Sequence, residues 1–135
     1  MTARALTTLT IGLLALSSVA SASSCLDYGP MNIVGTLVRQ TYAGGPDYES
    51  VTKGDQPRVI WLLQLDQRVC VNGNARYPRE PTQIEIELAL ATEQYAQYQP
   101  LLGRKVVVSG ELIHGGANYQ KRLVLMASEI RSTRP

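Results

Sequence analysis

The stretch that decides the fold is Leu102-Gly-Arg-Lys-Val-Val-Val-Ser-Gly-Glu-Leu112. In the segment Lys105–His114, Val106, Val108, Gly110 and Leu112 alternate with Lys105, Val107, Ser109 and Glu111. This period of two is typical of a β-strand in a small domain. Gly110 interrupts this strand, and an interior glycine often marks a bend or a bulge. The stretch therefore predicts a sharply coiled strand of the kind that a small barrel requires.

Four other segments have the apolar patterns of strands: Met31–Arg39, Arg58–Asp66, Gln83–Leu90 and Lys121–Ile130. Arg58–Asp66 is apolar on both alternating sets, which predicts a central strand covered on both sides, with Trp61 in the core and a short extension at 69–71 after a kink. Gln83–Leu90 alternates strictly, so Glu85 and Glu87 are expected to face water.

A single helix is predicted between the third and fourth of these strands. Thr92 is a candidate N-cap, and good helix formers run from Glu93 to Gln99 until Pro100 stops them. Strands and helix in this order predict a mainly β fold, a small five-stranded OB-like Greek-key barrel with one short helix between strands 3 and 4. Another small antiparallel barrel or sandwich also fits the pattern.

The chain begins with the pattern of a secretory signal peptide. Arg4 precedes the apolar run Leu6–Leu16, and Ala20-Ser-Ala22 provides the small residues of a cleavage site. Cleavage after Ala22 removes residues 1–22 of 135 and leaves one domain at 23–135. The sequence therefore predicts a periplasmic or secreted protein.

Two cysteines remain after that cleavage, Cys25 and Cys70. In an exported protein an even count predicts a disulfide, which would stabilise the fold by about 4 kcal/mol. A lipid on Cys25 is the alternative, but Ala22 stands three positions before it, where a lipidation site usually has Leu.

Composition limits the classes of partner. With 13 basic and 11 acidic residues the formal net charge is +2, and the basic residues are scattered along the chain instead of forming the stripe of a nucleic-acid binder. No segment after the signal peptide is apolar for long enough to span a membrane.

Residues 25–130 resemble a bacterial family of small exported domains of unknown function. The similarity includes Cys25, the segments Gly45-Pro-Asp-Tyr-Glu-Ser50 and Lys53-Gly-Asp55, and the strand Gly103–Leu112. This resemblance implies export and an OB-like barrel, and it implies no activity.

A shorter string, Tyr48-Glu-Ser-Val-Thr-Lys-Gly54, is similar to a Tyr-x-x-x-Thr-Lys-Gly string of periplasmic lysozyme inhibitors. Those proteins also carry a Ser-Gly-x-x-Tyr loop, which Gly115–Tyr119 matches in part, without the serine. The two strings occur here in the opposite order. The resemblance implies that this protein inhibits a cell-wall-degrading enzyme.

The loops Gln40–Pro57 and Gly115–Tyr119 are expected to flank the binding face of the barrel. They combine aromatic rings, which stack on sugars or fill protein pockets, with groups that donate or accept hydrogen bonds. The candidate binding residues are Tyr42, Asp47, Tyr48, Glu49, Lys53, Asp55, Asn118 and Tyr119. The alternative is that Pro46 and the glycines of the first loop build a turn while Tyr48 packs over an end of the barrel.

Catalysis and metal binding have little support in the sequence. The only histidine, His114, belongs to no nucleophile motif and is expected on the surface or in a turn. Asp47, Glu49 and Asp55 offer the carboxylates that a glycosidase or a calcium site uses, without the spacing of an EF-hand. The sequence also predicts no zinc site and no cofactor.

The sequence thus predicts an exported, non-catalytic binding module that recognises a protein partner, as an inhibitor of, or an immunity protein against, a cell-wall-degrading enzyme. A domain that binds a small glycan or oligosaccharide through Tyr42, Tyr48 and Tyr119 is the alternative. Weak hydrolase activity from Asp47 and Glu49 is the third hypothesis.

Overall fold

The fold is taken from a computed structural model that describes residues 24–134, together with residues 2, 12, 14 and 15. Apart from those four isolated positions, the predicted signal peptide lies outside the described residues. Among the described residues, no helix is long and apolar enough to cross a bilayer.

Six strands and one α-helix make up the described fold. The strands are β1 (Leu26–Asp27), β2 (Gly29–Ala43), β3 (Pro57–Asn72), β4 (Glu80–Ala89), β5 (Lys105–His114) and β6 (Leu123–Ser132). The helix α1 is Thr92–Tyr98, and short 3₁₀ turns cover Val51–Lys53 and Gln99–Leu101.

The five long strands close into a ring, so the fold is barrel-like. The sheet has the order β1-β3-β2-β5-β6-β4, and β4 also pairs with β3. Pairing is antiparallel around the ring except between β4 and β6, where Leu88 lies opposite Leu125 in parallel. The predicted mainly β barrel with one short helix is confirmed, and the helix follows the third long strand.

Two details of the prediction change. The two-residue strand β1 was not predicted, so α1 lies between the fourth and fifth of six strands. Thr92 is the first helical residue instead of the cap, which is Ala91. There the main-chain N–H of Ala91 donates to the side-chain oxygen of Gln94 at 2.7 Å.

β3 is buried on both sides, as predicted. Leu63 belongs to the interior core with Trp61, whereas Leu62 points to the outer face, and Leu62 and Leu63 are both fully buried. The predicted kink is a register shift between Gln64 and Val69 against β4. The outer face of β3 is therefore covered by another part of the chain, the loop of residues 115–122 between β5 and β6.

The interior glycines lie where strands come close together. A side chain at Gly35 would place its Cβ 2.6 Å from the carbonyl oxygen of Gln64, and one at Gly110 would overlap the carbonyl oxygen of Met126. Gly110 also follows a register shift between β5 and β6. Both glycines permit the tight coiling that closes a small barrel.

The predicted disulfide between Cys25 and Cys70 is present, with their Cα atoms 4.7 Å apart. It lies beside the parallel pairing of β1 with the end of β3, where Leu26 faces Val71. The bridge fastens the N-terminal segment to the barrel, and it leaves Cys25 without the free thiol that lipid attachment requires. Such a disulfide is consistent with an extracellular location.

Candidate functional site

The loop between β2 and β3, residues 44–56, is organised around Asp55. This carboxylate is buried, with 4% of the residue exposed. It accepts main-chain N–H groups from Asp47 and Glu49, each at 2.8 Å, and from Ser50 at 2.9 Å. The N–H donors, that of Asp47 first, hold the pKa of Asp55 below its usual value. Asp55 therefore holds the loop in shape.

Further bonds close the β2–β3 loop at its base and at its tip. The N–H of Gly44 donates to the carbonyl of Gln56 at 2.7 Å, and the N–H of Gln56 donates to the carbonyl of Gly45 at 2.8 Å. At the tip, Ser50 Oγ accepts the N–H of Thr52, and Gly54 takes the left-handed conformation with φ 107°. The main chain of the loop is thus fixed before any partner arrives.

Tyr48 is displayed on this fixed loop. The residue is 71% exposed to solvent. Its φ is 59°, in the left-handed region that a bulky residue adopts only when its surroundings hold it there, and its N–H donates to Gly44. Beside it Glu49 and Lys53 form an exposed ion pair at 3.7 Å, which contributes little stability in water.

The loop between β5 and β6, residues 115–122, lies over the outer face of the barrel. Gly115 donates to Arg122 across its base at 2.7 Å. Two contacts fasten it to the sheet: the Arg58 guanidinium donates to the Asn118 carbonyl, and the N–H of Gln120 donates to Glu87 Oε1 at 3.0 Å. Arg58 stands at the start of β3, directly after the β2–β3 loop, and therefore links the two loops.

Glu87 is buried under this loop, and the prediction that it faces water is wrong. Only 3% of the residue is exposed. Burial raises the pKa of Glu87 above its usual value, although the Gln120 N–H and the charges of Arg58 and Lys121 partly oppose that shift. The alternating pattern assigned the correct face of β4, but it contained no sign of the loop that covers that face.

Lys121 joins this face to Tyr42. Its Nζ lies 2.7 Å from Glu85 Oε2 and 5.5 Å from the centre of the Tyr42 ring, while the Tyr42 hydroxyl donates to Gln40. Burial, the largest influence, lowers the pKa of Lys121, but the contacts with Glu85 and Tyr42 outweigh it, so the pKa is raised overall. Lys121 is thus held in its charged form.

A cleft of about 300 Å³ opens between the start of β3, the end of β4, α1 and the β5–β6 loop. Its lining includes Arg58, Glu87, Tyr95 and Tyr119. Tyr95 packs edge-on against Trp61, with their ring centres 5.3 Å apart. Two phenol rings, a guanidinium and a carboxylate can together stack on a small polar ligand and hydrogen-bond to it.

The predicted site residues fall into two neighbouring groups. Asp47, Tyr48, Glu49, Lys53 and Asp55 belong to the β2–β3 loop. Asn118 and Tyr119 belong to the β5–β6 loop, where Asn118 accepts the Arg58 hydrogen bond through its main chain, and Tyr42 lies near the end of β2 beside Lys121 of that loop.

Sequence reasoning missed Arg58, Glu85, Glu87, Tyr95 and Lys121. The only available signals were the position of Arg58 next to a candidate loop and the place of Glu85 and Glu87 on the outward face of their strand.

His114 is paired with a buried carboxylate of β4. His114 ends β5 and its Nε2 lies 2.8 Å from Oε1 of the buried Glu80. Its side chain is 24% exposed. Within the described part of the chain, no group of three or more His, Cys, Asp or Glu side chains is placed to hold a metal ion.

Residues 85–128 match a family described as a domain of unknown function, DUF4431. The match covers α1, β5, the β5–β6 loop and parts of β4 and β6, and it leaves out the β2–β3 loop. No curated protein matches the chain. The likeness therefore includes the residues of the cleft on β4, α1 and the β5–β6 loop, and it assigns no activity to them.

Proposed function

We propose that this protein is an exported, non-catalytic binding module that recognises a protein partner through its β2–β3 loop. One observation carries the proposal: Tyr48 is 71% exposed on a loop whose main chain is held by the buried carboxylate of Asp55. Tyrosine is enriched among the residues that dominate protein interfaces, because it offers a large contact area at a small cost in conformational entropy. A fixed loop lowers that cost further.

The partner we propose is an enzyme that degrades the cell wall, which this protein would inhibit or to which it would give immunity. Three features support that choice: the predicted signal peptide, the disulfide, and the similarity of Tyr48–Gly54 to the string found in lysozyme inhibitors. In the structure this string is the exposed tip of the loop, with Lys53 73% exposed at its side chain. These residues are available to a partner.

An inhibition assay tests the proposal. The oxidised protein is added to peptidoglycan suspensions with muramidases, glucosaminidases, amidases and endopeptidases, and lysis is followed by turbidity. We expect saturable inhibition of one class, and we expect Tyr48→Ala to weaken it by about tenfold or more, as loss of a dominant interface residue does.

Tyr95→Ala is the matched control, because Tyr95 is also a partly exposed tyrosine but lies on α1. If no enzyme class is inhibited, the assignment to cell-wall enzymes fails. If Tyr48→Ala lowers the melting temperature and leaves inhibition intact, the loop is scaffolding and the binding site is elsewhere.

Glycan binding is the alternative function, and the cleft beside Tyr119 is the observation that favours it. A guanidinium and two phenol rings line a space of about 300 Å³. Calorimetry with soluble cell-wall oligosaccharides distinguishes the two functions. Loss of glycan binding in Tyr119→Ala, with no effect of Tyr48→Ala, would favour this alternative.

Hydrolysis by Asp47 and Glu49 has weaker support. Both residues are exposed, and Glu49 is paired with Lys53. Asp47→Asn tests it directly, since a hydrolase would lose turnover and keep binding. Such a result would contradict the non-catalytic proposal.

A further inference from the structure

The C-terminal segment forms a basic cavity with the start of β5. The cavity has a volume of about 320 Å³ and is lined by Arg104, Lys105, Ser132, Thr133 and Arg134. It lies at the opposite end of β5 from His114 and the β5–β6 loop. It is therefore separate from the cleft beside Tyr119.

The main chain around this cavity is fixed. Leu37 in β2 donates its N–H to the carbonyl of Arg104 at 3.0 Å and accepts the N–H of Gly103 at 2.7 Å. Thr133 donates both its N–H and its hydroxyl to the carbonyl of Lys105, at 3.3 and 3.2 Å. The segment that carries the basic groups is thus tied to the barrel on both sides.

The donors of the cavity are only partly used. Asp66 Oδ2 lies 2.5 Å from Lys105 Nζ, and an ammonium group has three hydrogens to donate. Ser132 Oγ accepts the N–H of Arg134 at 3.3 Å, so its own hydroxyl hydrogen is available to a ligand. The cavity has three cationic side chains, Arg104, Lys105 and Arg134, and one neighbouring carboxylate, Asp66. These groups leave an excess of two positive charges.

We infer that this cavity binds a phosphoryl group. A phosphate monoester carries up to two negative charges and three acceptor oxygens, which match the excess charge and the mixture of guanidinium, ammonium and hydroxyl donors. The cavity is larger than a single phosphate ion, so the group can carry a substituent. The inference does not depend on the proposed function, because it uses other residues at another part of the barrel.

Calorimetric titration of the oxidised protein with inorganic phosphate, at constant ionic strength, tests the inference. We expect Arg104→Gln to weaken binding by about tenfold, as loss of a charged hydrogen-bonding partner does. Asp66→Asn should strengthen it, because the change removes the competing carboxylate from Lys105. Arg79→Gln is the control and should have no effect, since Arg79 is also exposed but precedes Glu80, which contacts His114 at the far end of β5.

A second arm identifies the source of the phosphoryl group. Vesicles of phosphatidylglycerol and of phosphatidylcholine are sedimented with the wild-type protein and with Arg104→Gln. Binding to phosphatidylglycerol vesicles but not to phosphatidylcholine vesicles, lost in Arg104→Gln, supports a lipid headgroup. Binding of inorganic phosphate with no binding to either kind of vesicle supports a soluble phosphorylated ligand. The inference is overturned if the wild type binds neither inorganic phosphate nor phosphatidylglycerol vesicles, or if Arg104→Gln and Asp66→Asn both bind as the wild type does.

Discussion

Glu87 Oε1 accepts the main-chain N–H of Gln120 at 3.0 Å, and this bond fixes the β5–β6 loop against the outer face of the barrel. Glu87 lies between Leu62 of β3 and Val124 of β6 in the strand register. Register partners point to the same face, and both of these neighbours are fully buried. The carboxylate therefore sits among apolar side chains, which explains why its pKa is raised.

Replacing Glu87 with glutamine should change how stability depends on pH. A raised folded-state pKa means that the folded protein binds the proton more tightly than the unfolded chain, so stability falls as pH rises from about 4.5 through the folded pKa. Glu87→Gln removes this loss and keeps an acceptor for Gln120. The variant should gain stability relative to the wild type across that window in urea titrations at a series of pH values.

Glu87→Ala is the comparison for that experiment. It removes the acceptor as well as the charge, so it should cost about 1 kcal/mol relative to Glu87→Gln. Equal stability of the two variants would show that the bond to Gln120 does not hold the loop.

Arg58→Gln should raise the pKa of Glu87 further. The positive charge of Arg58 favours the carboxylate form, and its loss leaves burial less opposed. Observing the Glu87 side-chain carboxyl carbon by NMR during a pH titration measures this directly. Lys53→Gln is the control, because Lys53 lies at the tip of the other loop; a Glu87 titration that is the same in all three proteins would contradict the link between Arg58 and Glu87.

Asp55→Asn should loosen the β2–β3 loop. Its carboxylate is the shared acceptor of three amides, so the N–H groups of Asp47, Glu49 and Ser50 should lose protection from hydrogen exchange together. The pKa of Asp55 is lowered on folding, so its contribution to stability is present above about pH 3.8 and is lost as pH falls through the folded value. The variant should lack that acid-side loss.

Asp47→Asn provides the control in the same loop, because Asp47 contributes its main-chain N–H to Asp55. It should leave the three amides protected. If Asp55→Asn also leaves them protected, the loop is held by its other bonds.

Removing the disulfide should lower the free energy of unfolding by about 4 kcal/mol, because the bridge closes a loop with a sequence separation of 45 residues. Urea denaturation of the double variant Cys25→Ser, Cys70→Ser measures the effect. Wild-type protein treated with a reductant should behave like the double variant. A reductant effect on the double variant itself would point to a cause other than the bridge.

The barrel could be predicted because its evidence is local. Alternation in Gln83–Leu90, two apolar faces in Arg58–Asp66 and a glycine within Lys105–His114 each describe one strand. The helix lies between Thr92 and Pro100, as its helix formers and stop signal indicate, although its cap is Ala91. β1 could not be predicted in this way. It has two residues, too few for a period, and it lies beside β3 next to the bridge between Cys25 and Cys70.

The geometry of the candidate site was predicted less completely, because it depends on contacts between residues that are distant in the sequence. Glu87 is buried by a loop 33 residues further along the chain. Asp55 looks like any loop aspartate in the sequence, yet three amides converge on it. Composition pointed to both loops, but it could not distinguish Tyr48, the exposed residue, from Asp55, the buried residue that holds the loop in shape.

Gly110→Ala should destabilise the barrel, since the added methyl group would overlap the carbonyl oxygen of Met126 on β6. The obstacle is main chain in a paired strand, so either β5 or β6 must move, and overpacking of this kind costs about 1–3 kcal/mol. Thermal and urea denaturation measure the cost. Gly116→Ala is the control, because no atom lies within 4 Å of the position that its Cβ would take. If both variants unfold at the same urea concentration as the wild type, the close approach of β5 and β6 at Gly110 does not constrain the barrel.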